Sequence, residues 1–201
     1  KRWLCTLLAI IIVGYLAVQE SPQAIGNENS LRDTSVIEAV LIDLLSRSNS
    51  PIEPKNETPR ILYFSPEAVG QEIDREAVLS TTDATAFDNL STKQLMRVRE
   101  AADHLIRRVK RNEPFTDFQP KDSRIKLYST NIDRRHFRKR RFNLPQIFRA
   151  YPPGYSRDSE LAIVRLSFTW SGNMHGAAGL YVLTKRNDGW AVLFSDLMFF
   201  I

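Results

Sequence analysis

Between Glu160 and Trp170 the side chains alternate. Leu161, Ile163, Arg165, Ser167 and Thr169 form one set, and Ala162, Val164, Leu166, Phe168 and Trp170 form a second set that is wholly apolar. This period of two predicts a strand with one buried face. A loop of small and polar residues, Ser171 to Ala177, leads to a second run, Ala178 to Lys185, and Asn187-Asp188-Gly189 then supplies residues that tolerate the positive φ of a tight hairpin. A third run, Trp190 to Phe194, follows, and Leu197 to Ile201 are all apolar. Three strands joined by short turns make an antiparallel meander.

An apolar sheet face needs a cover, since each large side chain it buries stabilises the fold by roughly 1.5–3 kcal/mol. Two stretches of helical period can supply one. Ser35 with Glu38 has the form of a capping box, and Val36, Ile37, Val40, Leu41, Leu44 and Leu45 follow at helical spacing, which predicts a helix over 35–46. Ser91 with Gln94 repeats the box ahead of the stripe Leu95, Val98, Ala102, Leu105, Ile106 and Val109, with Asn112 and Pro114 as the stop. The polar face of this second helix carries Arg97, Arg99, Arg107, Arg108, Lys110 and Arg111, read as a solvated face whose cations suit the negative helix end.

Elsewhere the pattern is shorter. Arg60 to Ser65 is rich in strand formers and stopped by Pro66, and Arg124 to Tyr128 alternates as an edge strand does. Residues 72–79 fit either a short helix or an irregular connector. The expected fold class is therefore α+β, with helices packed on one face of a mainly antiparallel sheet that ends in a three-stranded meander.

Ahead of these elements the pattern changes. Lys1-Arg2 precede an uncharged apolar run from Trp3 to Val18, which reads as a signal peptide or a membrane anchor over residues 1–19. As a helix that run reaches about 24 Å against a hydrocarbon core of about 30 Å. In either case the expectation is an exported domain, in the cell envelope or extracellular. Residues 20–33 are polar, with Pro22 and Gly26, and read as a tether to a single α+β domain over 34–201.

Composition adds little to this picture. Over 201 residues, 43% apolar and 25% charged is an ordinary globular balance, and the net charge of +5 is a modest cationic excess. The lone cysteine, Cys5, excludes an intrachain disulfide and a zinc site built on thiolates. The densest charge is Arg134, Arg135, His136, Phe137, Arg138, Lys139, Arg140 and Arg141. A solvated loop is the plain reading of this run. An anionic membrane surface is the partner it offers instead, through Arg134, Arg135, Arg138, Lys139, Arg140 and Arg141. An exported chain and the lack of an aromatic stacking platform disfavour nucleic acid.

Catalytic chemistry is not legible. His104, His136 and His175 have no metal-ligand spacing, no phosphate-binding glycine loop occurs, and no cofactor is indicated. Ser171 and His175 share one loop and form a candidate pocket loop, but no glycine-serine-glycine elbow or third orienting residue accompanies them. The sequence leaves open whether the chain is an enzyme. A binding or interaction domain is its first reading, and a cone-fold hydrolase or isomerase with a pocket between sheet and helix is the second.

Phe148-x-x-Tyr151-Pro152, Trp170-Ser171, His175, Gly179-Leu180-Tyr181-Val182-Leu183, Lys185 and Gly189-Trp190 resemble the C-terminal part of uncharacterised bacterial exported proteins. The resemblance covers residues 142–201 and implies an exported or envelope location and an α+β fold, with no activity attached. Some of those proteins carry cysteines ahead of the Gly-Tyr strand, and this chain has none there. The finish is also similar to that of cone-shaped domains of the nuclear-transport-factor-like kind, at the level of fold alone.

Overall fold

The computed structural model describes residues 22–46, 61–65, 73–81, 85–113, 118–128, 147–170, 175–187 and 189–200. In chain order they form α1 (Pro22–Ser46), β1 (Leu62–Ser65), α2 (Arg75–Leu79), α3 (Thr92–Lys110), β2 (Ile125–Leu127), β3 (Ile147–Ala150), β4 (Gly154–Tyr155), β5 (Leu161–Trp170), β6 (His175–Arg186) and β7 (Gly189–Phe200). The strands make one sheet in the order β2-β1-β3-β5-β6-β7, with β4 paired to β5 as well. The sheet is mixed: β1 is parallel to β2 and β3, and every other pairing is antiparallel.

The C-terminal meander is present. β5 pairs with β6 from Leu161↔Thr184 to Trp170↔His175, and β6 pairs with β7 with one irregularity at Val182/Leu183. Gly189, at φ 137°, takes the left-handed backbone that the hairpin between β6 and β7 requires. On the other edge of β5, β3 and β4 are two pieces of one path, separated by Tyr151-Pro152-Pro153. Neither proline can donate to a ladder, so pairing stops there and resumes at Gly154.

Helices cover both faces of the sheet, which corrects the expectation of one covered face. Ala162, Val164, Leu166 and Phe168 of β5, with Tyr181 and Leu183 of β6, pack in one apolar cluster with Val36, Ile37, Val40 and Leu41 of α1. Leu161, Ile163 and Val182 point the opposite way and pack with Val98, Ala101, Ala102 and Leu105 of α3. The first half of β5 is thus apolar on both sides, and the simple alternation resumes only at Arg165 and Ser167. α3 lies close on β4, where a Cβ on Gly154 would overlap the Ala101 carbonyl oxygen and Leu105.

The box at Ser91 forms as the sequence predicts. Ser91 Oγ accepts from the Gln94 N–H, and Gln94 Oε1 accepts from the Ser91 N–H at 2.9 Å. The box at Ser35 does not form, because α1 begins at Pro22 and runs through most of the stretch expected to be a tether. Ser35 instead bonds back to the Arg32 carbonyl within the helix, at 2.8 Å. Glu38, buried, accepts from the Lys121 and Asp122 N–H groups at 2.6 and 2.9 Å and so holds the approach to β2. Among the described residues no helix is long and apolar enough to cross a membrane, and the apolar run 3–18 lies outside them.

Candidate binding cleft

Where α1 and α3 meet at the β4 edge of the sheet, an ion pair is buried. Arg108, only 7% exposed, donates from Nη1 and Nη2 to the two Asp33 carboxylate oxygens at 2.9 and 2.7 Å. Its Nε donates to Glu113 at 2.6 Å, and Nη1 also reaches the Pro153 carbonyl at 2.9 Å, in the gap between β3 and β4. The Tyr155 hydroxyl donates to Asp33 at 2.7 Å. Burial works against the Arg108 charge, but its hydrogen bond to Asp33 and the attraction of that carboxylate outweigh burial and raise its pKa. Burial, with Asp33 behind it, likewise raises the Tyr155 hydroxyl. Arg108 therefore leaves the solvated face to which its position on α3 assigns it.

Above this buried floor opens a polar cleft of about 300 Å³. α3 contributes Glu100, Asp103, His104 and Arg107, a set at i, i+3, i+4 and i+7 that occupies one helical face. α1 contributes Arg32, β4 contributes Tyr155, and the turn between β4 and β5 contributes Ser156, Arg157 and Ser159. The Arg32 guanidinium lies over the Tyr155 ring, 3.8 Å from its centroid, and Nη1 donates to Ser159 Oγ at 3.1 Å. The turn is stiffened from within. Ser156 Oγ donates to Asp158 at 2.7 Å and accepts from the Leu161 N–H at 3.0 Å, and Asp158 also pairs with Arg97.

His104 is fixed by one bond: the Tyr155 N–H donates to its Nδ1 at 3.0 Å. A nitrogen that accepts from an amide carries no proton, so the neutral ring carries its proton on Nε2. Burial lowers the pKa of His104, and the charges of Arg108, Arg107 and Arg32 add to the effect, with Glu113 opposing. The ring thus enters the cleft wall as a donor, and its basic nitrogen is already taken. The two carboxylates of the cleft are also engaged. Asp103 accepts from Arg75 on both oxygens, and Glu100 accepts from the Arg157 N–H at 3.2 Å and lies 3.6 Å from its Nε.

Of the candidate residues chosen from sequence, the structure describes His175 alone. Arg134, Arg135, Arg138, Lys139, Arg140, Arg141 and Ser171 lie outside the described residues. His175 opens β6 opposite Trp170, whereas the cleft sits by the Leu161 end of β5, roughly 30 Å away along a ten-residue strand. Of the three histidines, His104 lines the cleft, although the sequence reading considered it only for metal spacing. Among the described residues no three His, Cys, Asp or Glu side chains gather as a metal site would need. The mixed-sign stripe Glu100, Asp103, His104 and Arg107 is the signal that could have marked this face. Arg32 and Asp33 gave none, being read as tether.

No protein-family model, curated protein or solved structure matches the chain.

Proposed function

We propose that the chain is a binding domain, exported or held at a membrane, whose ligand site is the cleft between α1, α3 and the β4–β5 turn. The observation that carries this reading is the Tyr155 N–H to His104 Nδ1 bond. General-base work needs a free, basic nitrogen facing the substrate, and His104 offers a proton instead. Its carboxylate neighbours are neutralised by arginines, so no second base stands beside it. Fixed donors around a small polar cavity are what recognition needs. The export part of the proposal is supported by the apolar run 3–18 behind Lys1-Arg2 and by the resemblance of residues 142–201 to bacterial exported proteins.

The second reading, a cone-fold hydrolase or isomerase, calls for a pocket between sheet and helix. The cleft is lined by Tyr155 of β4 and by no residue of β5, β6 or β7, so it opens at the sheet edge and not beneath the sheet, which favours the binding reading. Ligand-observed NMR on a mixture of small sugars, amino acids and organic acids separates the two. A binding domain broadens some ligand signals and leaves every compound intact over a day. New product peaks that disappear in Ser171→Ala or His175→Ala would overturn the proposal in favour of the enzyme.

A further inference from the structure

We infer that the cleft takes the oxyanion group, phosphate or carboxylate, of a small polar molecule, an inference that rests on reading the cleft as a binding site. The first ground is charge. Among the described residues four guanidinium groups, Arg32, Arg75, Arg107 and Arg157, stand in or beside the cleft with two carboxylates, Glu100 and Asp103, so cations outnumber anions in its wall. Both carboxylates are occupied by that set, Asp103 by Arg75 and Glu100 by Arg157, so they tie cations in place and do not present a bare negative wall.

The second ground is the direction and fixity of the donors. Arg32 lies over the Tyr155 ring and is pinned to Ser159, whose backbone takes the uncommon φ of 57°. His104 presents Nε2–H, since Nδ1 is committed to the Tyr155 amide. Arg107 is exposed, one turn further along α3 from His104 on the same face. A planar guanidinium matches the spacing of two oxygens on a phosphate or carboxylate, and donors fixed in advance lose little freedom when such a group arrives. The volume, about 300 Å³, lies at the lower limit of small-molecule sites, which points to a compact ligand.

The third ground is the floor. Arg108 is saturated by Asp33, Glu113 and the Pro153 carbonyl, so the floor is complete without a ligand and its charge is already answered. The cleft is therefore built before anything enters, and the ligand answers to the exposed arginines above.

The test is amide NMR of the folded chain titrated at low salt with inorganic phosphate, malonate, glucose and putrescine in separate arms. Phosphate or malonate is expected to shift the amides of 100–107 and 155–159, and Arg107→Ala and Arg157→Ala are each expected to weaken that binding by about tenfold. Both side chains are exposed, and a thermal melt within error of the parent shows that the variants are folded. A phosphate response without a malonate response identifies a phosphate group, and the reverse identifies a carboxylate. Cleft shifts with glucose or putrescine and none with either oxyanion would overturn the anion assignment and leave the binding site standing. Silence of the cleft amides in all four arms would overturn both, whereas oxyanion shifts that are indifferent to the two variants would overturn the assignment to these arginines and leave the binding site standing.

Discussion

The two faces of the sheet are sealed by different means. Under α1 the apolar cluster runs from Leu62 and Phe64 of β1 through Phe148, Phe168 and Val164 to Tyr181, with Phe148 and Phe168 in ring contact at 4.7 Å. Under α3 the cluster is confined to the Leu161 end of β5, and the same face then continues through Arg165, which is 8% exposed and bonded to Ser80. One face is held by continuous burial. The other is held by a close approach at Gly154 and by the ion pair that ties Arg108 of α3 to Asp33 of α1 around the sheet edge. A helix that buries a short apolar patch gains less from area, and so depends more on single contacts.

Three changes break or sharpen this contrast. Asp33→Ala removes the joint between the two covers and leaves the buried Arg108 guanidinium with Glu113 as its one carboxylate, with an expected loss of about 3 kcal/mol in chemical denaturation, the lower end for a broken buried pair. Adding Arg108→Leu should return part of it, because the buried guanidinium with its unfilled donors leaves with the side chain. A loss below about 1 kcal/mol for Asp33→Ala would mean that the pair does not join the helices. Gly154→Ala comes next, at about 1–3 kcal/mol, since the added methyl must push α3 away from β4. Its signature should be local: faster amide exchange in 98–108, with the β1–β3 strands under α1 unchanged. Equal loss of protection on both faces would show that the covers are not independent.

The smallest effect is that of pH. His104 has its pKa lowered from the ordinary 6.5, mainly by burial and then by Arg108 and Arg107. Between 6.5 and that lower value the unfolded chain binds a proton that the folded chain does not. Stability is therefore full above pH 6.5 and falls as the pH drops through this window. His104→Asn, whose Oδ1 stands where Nδ1 does and can still accept from the Tyr155 N–H, should flatten the profile there, as read from denaturation midpoints. An unchanged slope would remove His104 as its source.

The legible parts of the fold are those whose stability is local. The meander declares itself through alternation and the Asn187–Gly189 turn, α3 through its capping box and stripe, and β2 as an edge strand through its charges. α2, with Asp74 as its cap, settles a segment that the sequence left between helix and connector. The N-terminal part of α1 was hidden because Gly26, Asn27 and Asn29 are weak helix formers, and the partners of Arg32 and Asp33 come from residues far along the chain. The cleft was hidden for the same reason. Nothing near Arg32 or Asp33 in sequence announces that Tyr155, Ser159 and Arg108 will meet them, and Arg107 and Arg108 look alike until one is buried and the other is left in water.

β3 joins the parallel and antiparallel parts of the sheet, pairing with β1 on one edge and β5 on the other. During synthesis β1 and β2 are therefore made before the strand to which β3 must attach, and only four registered pairs from Ile147 to Ala150 fasten the early half to the late half. The hairpins of β5, β6 and β7 close over short loops, while the parallel pairings must first bring distant segments together. The ribosome thus releases the template after the pieces that dock on it, and although β1 and β2 can pair with each other, α1 and α3 lack the strands they cover until it arrives.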